Sequence, residues 1–230
     1  MSYTANRLLA RLPSPLCELI LEASRVVDLP VRTSLSTAGE VPTFAYLLTR
    51  GVASVVVVMA EGGSSEVGMI GKEGLVNVSA LLGPAASQSD IFMQVGGSGL
   101  RVPMKVVQRL FEESAEFRLP ILQYVQAQLT VIAQVSACNR LHEAEARLAR
   151  WLLTASYLSQ SDTMGLTQEF MAQMLGSQRT TVALVAGSLQ RSGFIDYSRG
   201  TVRILDATGL ATVACDCYRV TQKALADLYV

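Results

Sequence analysis

One histidine, His142, and four cysteines, Cys17, Cys138, Cys215 and Cys217, are the side chains of this 230-residue chain best suited to metal or nucleophilic chemistry. A single imidazole excludes centres that need two or more, such as facial triads and histidine-rich zinc sites. No G-x-S-x-G, P-loop or G-x-G-x-x-G pattern occurs, and no helix pattern follows Gly96-Gly97-Ser98-Gly99 to make it a phosphate cradle. These features point away from an enzyme. Cys215-Asp216-Cys217 has a spacing that suits a soft metal, but one ion needs more ligands and His142 stands far off in sequence. The expectation is two mostly packed thiols on a C-terminal helix, about 100° to 200° apart in projection. His142, beside Glu143, is expected to be a solvated or capping residue. No metal and no cofactor is expected. The thiols are few and scattered, which fits a reducing, cytoplasmic setting.

A denser signal lies in residues 167–190, TQEFMAQMLGSQRTTVALVAGSLQ. Thr167 suits an N-cap. Met171 and Leu175 are then buried one turn apart, and Ala172 leaves room for a second helix to cross. Gly176 supplies the positive φ of a tight turn. Ser177 or Gln178 caps a second helix whose buried stripe is Val182, Val185 and Leu189. Five positions in register predict a helix-turn-helix rather than a generic helical hairpin. Arg191-Ser192-Gly193 closes the second helix. FIDYSRGTVRIL then reads as two strands around Ser198-Arg199-Gly200, which makes the unit a winged helix. Over 166–205, Arg179, Arg191, Arg199 and Arg203 face Glu169 and Asp196, a local charge of +2 in a chain with net charge zero. That balance excludes a polybasic binder and suits limited phosphate contact.

Elements must hold this unit in place. The chain is 50% hydrophobic and 17% charged, so it folds, as one or two domains. No run reaches the roughly 18 apolar residues of a membrane span, and MSYTANRLLARLPS lacks a secretory pattern. Residues 7–25 are helical around Pro13 and Pro15. From about 26 to 102, short runs (VVDLPV, FAYLL, VASVVVVMA, SEVGMI, DIFMQV, LRVP) alternate with turn signals at Gly51, Gly83-Pro84, Gly96-Gly97 and elsewhere. They read as an antiparallel sandwich. Residues 75–82 offer a short helix. Pro103 suits a helix start, and Pro120 a first turn after Ser114. Leu122, Val125, Leu129, Ile132, Ser136 and Asn139 step by alternating threes and fours, an a/d seam for a parallel dimer helix. The polar flank is Gln123, Gln126 and Gln128, and Asn139 would fix register. The segment Ser159–Gly165 reads as a loop.

This order of parts resembles the Crp/Fnr family of bacterial transcription regulators along essentially the whole chain. The resemblance is strongest in 166–205. It extends to Ala38-Gly39-Glu40, Phe44 to Leu48 and Gly51, and to Glu145 through Leu153. It implies an α+β fold: an N-terminal antiparallel β-roll or jelly-roll sandwich over 1–118, a central dimerisation helix over 119–142, and a winged helix-turn-helix with a C-terminal helix over 143–230. It also implies a homodimer on double-stranded DNA with a two-fold symmetric site, and contact with RNA polymerase. Gln178-Arg179-Thr180-Thr181-Val182 matches the family's polar run at the start of the recognition helix. On that match Arg179 reads guanine. Thr181 contacts phosphate or base, and Gln178 and Thr167 position the backbone. Ser198 and Arg199 lie in the wing. Thr180 replaces the family's common glutamate, so the half-site differs from the familiar one. Leu184 either meets a thymine methyl or packs.

Members that bind cyclic nucleotides carry a Gly-Glu pair and, about ten residues on, an Arg-Ser or Arg-Thr. Here those positions are Asn77-Val78 and Gln88-Ser89, and no Lys or Arg lies between Lys72 and Arg101. A cyclic phosphate would lack its counter-charge. Control by cyclic AMP or cyclic GMP is therefore not expected, and Lys72-Glu73-Gly74 reads as a solvated turn. The family's oxygen-sensing branch needs three N-terminal cysteines, where only Cys17 stands. Two further readings stay open: a sensor of another small ligand or redox signal, and a protein-interaction module that does not bind DNA.

Overall fold

The computed structural model of the chain describes residues 5–83 and 86–229. Met1 to Thr4, at the head of the segment read for a secretory pattern, and Pro84, of the Gly83-Pro84 turn signal, lie outside the described residues. Two compact units emerge. The first comprises 1–55, 69–129 and 225–230; the second comprises 56–68 and 130–224.

The first unit begins with α1 (Ser14–Ala23), which carries Pro15 in its first turn where a missing N–H costs nothing. The strands β1 (Arg25–Leu29), β2 (Ser34–Ser36), β3 (Phe44–Val58), β4 (Ser64–Ile70) and β5 (Asp90–Pro103) follow. They form a sheet in the order β1-β5-β3-β4, with β1 and β2 each antiparallel to β5. The β1–β5 register sets Val26 against Leu100 and Asp28 against Ser98. Leu29, Leu35, Leu48, Ile70, Val76 and Met93 fill its interior.

Two turn signals prove to be something else. FAYLL and VASVVVV form one strand through Gly51, and DIFMQV and LRVP form one strand through Gly96-Gly97. Gly51 takes φ +86° within β3, and a Cβ on Gly97 would overlap the Arg50 carbonyl. These glycines serve close backbone approach between β3 and β5, not chain reversal. The short helix expected near 75–82 is a 3-10 turn over Val78–Leu81.

Next come α2 (Met104–Glu113), started by Pro103, and α3 (Ala115–Leu141). Ser114 Oγ accepts the Phe117 N–H at 3.2 Å and caps α3. Pro120 falls in the second turn of α3 rather than the first. The buried face of α3 is Phe117, Ile121, Tyr124, Val131, Val135 and Cys138.

The second unit contains α4 (Ala144–Ser159), β6 (Thr163–Gly165), α5 (Gln168–Leu175), α6 (Arg179–Arg191), β7 (Ile195–Ser198), β8 (Thr201–Ile204), α7 (Ala207–Val213) and α8 (Cys217–Ala226). Helix α4 packs on α6 and α7, around Trp151, Leu152, Met171, Val182 and Leu210. The expected loop at Ser159–Gly165 hides a strand: β6 pairs with β8, Met164 against Val202, giving a three-stranded sheet in the order β6-β8-β7. Its three residues are too few for periodicity to reveal. Residues 56–68, the tip of the β3–β4 hairpin, belong to this unit, where Glu66 Oε1 accepts the Trp151 indole N–H at 2.8 Å.

Candidate nucleic-acid interface

Thr167 caps α5, its hydroxyl accepting the Phe170 N–H at 3.1 Å. A threonine there contributes about 0.5–2 kcal/mol to helix stability. Gly176 ends α5 at φ +56°, the left-handed conformation that lets the chain turn within two residues. Gln178 is the N-cap of α6, without a side-chain capping bond. The stripe that seats α6 runs through Val182, Ala186 and Leu189; Val185, expected in it, is only half-buried. Three- and four-residue steps reach Ala186 from Val182 and Leu189 from Ala186, leaving Val185 at the edge.

The opposite face of α6 is open. Gln178, Arg179 and Thr180 are exposed, Thr181 is half-buried, and Leu184 is 69% exposed. Leu184 therefore does not pack within the chain. At the wing, Ser198 ends β7, and Arg199 and Gly200 take φ +50° and +78°. Positive φ at both central residues is the hairpin turn that matches strand twist. A Cβ on Gly200 would stand 3.4 Å from the Thr167 Cγ2, so the cap of α5 and the wing tip are neighbours. Arg203 pairs with Asp196 at 3.9 Å, both half-exposed, which tempers the local positive charge.

One brace was not foreseen. Arg147 of α4 donates to the carbonyl of Leu175, to Ser177 Oγ at 3.1 Å and to the carbonyl of Asn139 at 3.3 Å. It ties together the end of α5, the turn and the end of α3. Arg147 lies in the first turn of α4 and its partners come from other helices and the turn, so no local sequence signal marks the brace.

Residues 146–213 match the Crp-like helix-turn-helix domain. The chain carries a Crp-like helix-turn-helix domain. Its fold as a whole is shared with solved regulators. A chain from Eubacterium rectale assigned to the Crp/Fnr family of transcriptional regulators superposes with TM-score 0.73 at 17% identity, covering 91% of this chain and 98% of that one. A CRP-family transcriptional regulator from Thermus thermophilus gives 0.68 at 20% identity, covering 82% and 96%. The c-di-GMP-responsive global regulator CLP of Xanthomonas campestris gives 0.66 at 17%, covering 84% and 99%. No curated protein matches the sequence. Among the described residues no helix is long and apolar enough to cross a membrane.

The helix that leads into the Crp-like domain carries the predicted seam. Leu122 is 43% exposed and Leu129 62%, while Val125 and Ile132 are half-buried. Ser136 is exposed and returns its hydroxyl to the Ile132 carbonyl at 2.8 Å. Asn139 is half-buried, its Nδ2 3.4 Å from Ser65 Oγ and its Oδ1 buried without a partner.

In the β-roll, Asn77 is buried at φ +68° and its Nδ2 donates to the carbonyls of Leu35 and Phe44 at 3.0 and 2.9 Å. It staples strands. Gln88 is exposed. Lys72-Glu73-Gly74 is no solvated turn: Glu73 is 3% exposed and its Oε1 accepts the Gly71 N–H at 2.8 Å. Burial pushes its carboxyl above the ordinary range, opposed by the Gly71 hydrogen bond and by Arg7 and Lys72. A Cβ on Gly74 would overlap the Tyr124 ring, and Tyr229 donates to the Glu73 carbonyl. Packing against α3 and the C-terminal turn dehydrates a segment whose composition suggests exposure.

The thiols of the second unit are also not scattered. Cys138, His142, Cys215 and Cys217 place their ligand atoms within 4.8 Å of one another. Cys138 Sγ lies 3.4 Å from Cys215 Sγ, and Cys217 Sγ lies 3.6 Å from His142 Nδ1. Cys215 precedes α8 rather than lying on it, which turns both thiols the same way. Cys17 belongs to the other unit and sits 3.5 Å from the Leu9 carbonyl. The Cys215 thiol donating to Cys138 holds Cys138 down, to about 4, against its own burial and with help from the Arg150 charge; the same contact pushes Cys215 up.

Proposed function

We propose that the protein is a sequence-specific DNA-binding transcription regulator that acts as a homodimer. The observation that carries this reading is α6: its buried stripe seats it on α4 and α5, and its other face leaves Gln178, Arg179, Thr180 and Leu184 exposed. A helix so held enters the major groove with its N-terminal residues on base edges. In this reading Arg179 pairs with guanine, and Leu184 meets a thymine methyl. Thr167, Gln178, Thr181, Ser198 and Arg199 touch the backbone.

Residues 1–118 form the sensor or platform, 119–142 the dimer helix and 143–230 the DNA-binding part. The exposed leucines of α3, Leu122 and Leu129, supply the self-association that a two-fold symmetric site needs, and contact with RNA polymerase belongs to the same role. Cyclic AMP and cyclic GMP do not control it: Asn77 is engaged with two carbonyls, Gln88 faces out, and the stretch has no cation.

The test is duplex selection followed by fluorescence anisotropy with salt titration. A two-fold symmetric selected site and a steep fall of affinity with salt are expected. Failure to prefer any duplex over a scrambled one would favour a protein-interaction role. Isothermal titration with either cyclic nucleotide should show no heat; a micromolar response would overturn that part.

A further inference from the structure

We propose that Cys138, His142, Cys215 and Cys217 form a mononuclear binding site for a thiophilic divalent cation of the Zn²⁺ class, one ion per chain. The inference does not depend on DNA binding. Metal–sulfur bonds of about 2.3 Å and metal–nitrogen bonds of about 2.0–2.1 Å put the ligand atoms of a tetrahedron roughly 3.4–3.8 Å apart. The Cys138–Cys215 and Cys217–His142 separations are 3.4 and 3.6 Å, and every pair lies within 4.8 Å. So tight a set closes around a single ion. Thiolates bound to the separate irons of a cluster stand further apart.

The backbone already fixes the ligands. Cys138 lies in the last turn of α3 and His142 directly follows its end, the His142 N–H donating to the Cys138 carbonyl at 3.1 Å. Cys217 opens α8, and the Tyr218 N–H donates to the Cys215 carbonyl at 3.1 Å, which holds the C-x-C loop closed. Ligands from two distant stretches of sequence would make the ion a clamp between the end of α3 and the start of α8.

Charge points the same way. Three thiolates and a neutral imidazole around a divalent ion leave one negative charge. Arg150 is 4% exposed, its Nε is buried without a partner, and its charge acts on Cys138. Gln134 Nε2 lies 3.0 Å from Cys217 Sγ and is placed to donate to a thiolate, as outer partners of metal ligands do. Cys138 and Cys217 are buried, whereas His142 is exposed and Cys215 partly so, which leaves an entry side.

The full chain, purified without a histidine tag under reducing conditions, should contain about one zinc per chain by elemental mass spectrometry. After chelator stripping, Co²⁺ should give the strong visible bands of tetrahedral thiolate coordination, saturating at one equivalent. Cys215→Ser with Cys217→Ser should lose both signals, and Cys17→Ser should keep both. Because the double variant removes two packed side chains, His142→Ala gives a second reading: its Co²⁺ bands should shift, with circular dichroism unchanged. Absence of zinc and of Co²⁺ bands in the folded, reduced protein would overturn the proposal. So would bands that persist unaltered in the double variant, or a Cys138–Cys215 disulfide that forms in preference to Zn²⁺ binding.

Discussion

Arg179 and Arg199 are both exposed but stand under different constraints, and their substitutions should read differently. Arg179 begins a helix held by its other face, so Arg179→Ala should leave folding alone. Losing one bidentate guanine contact should remove about 1–3 kcal/mol of preference between selected and scrambled duplex, measured by competition anisotropy. An unchanged ratio would remove Arg179 from base reading. Arg199 occupies a left-handed turn position that costs a non-glycine residue energy. Arg199→Gly should therefore raise the melting temperature while weakening all duplexes alike and reducing the salt slope by about one. Glu73 offers a pH test. Its folded pKa is raised by burial, so the folded state binds the proton more tightly than the unfolded state does. Its contribution to stability is then lost as pH rises from the ordinary carboxyl range through the folded pKa. Glu73→Gln can still accept from Gly71, and should raise the urea midpoint at neutral pH. The advantage should vanish in acid, where the wild-type carboxyl is neutral in both states. A midpoint below wild type at neutral pH would show that the charge is satisfied in place.

At the scale of elements, α3 has two unlike faces. Tyr124 and Val131 are buried against the chain's own residues, while Leu129 is exposed. Leu129→Asp should convert dimers to monomers in sedimentation with the melting temperature nearly unchanged, within the roughly 0.5 kcal/mol typical of surface changes. Val131→Asp should instead unfold or aggregate the protein. Dimers that survive Leu129→Asp would place the interface elsewhere. Much of this level was legible in the sequence. The helix-turn-helix followed from a cap, a small residue, a glycine and an apolar stripe, all within one local window. The long helix α3 was likewise legible from its period. Long-range approach was not legible. Gly51 and Gly96-Gly97 look like turns until a neighbouring strand is seen to press on them. The three-residue β6 has no period to read. Cys138 and His142 do carry a local signal, the spacing of one helical turn, but only folding brings the C-x-C loop to them.

For the whole molecule, a net charge of zero means that, in the proposed function, attraction to DNA would rest on the local field of the winged helix. The salt dependence should accordingly be set by few phosphate contacts, and Arg203, already paired with Asp196, should matter less than Arg199 when each is replaced by alanine. The indole of Trp151 links the remaining pieces: it is the chain's single tryptophan, 1% exposed, bonded to Glu66 at the tip of the β3–β4 hairpin and 6.4 Å from the Phe170 ring on α5. The protein thus carries its own fluorophore at the joint between a hairpin tip and α5, the first helix of the helix-turn-helix. Any effector that lifts the tip should expose the indole to water and move its emission to longer wavelength. Glu66→Gln should produce a smaller shift of the same sign. Ligand screening of this protein therefore needs no dye, label or reporter gene, only the colour of one residue's light.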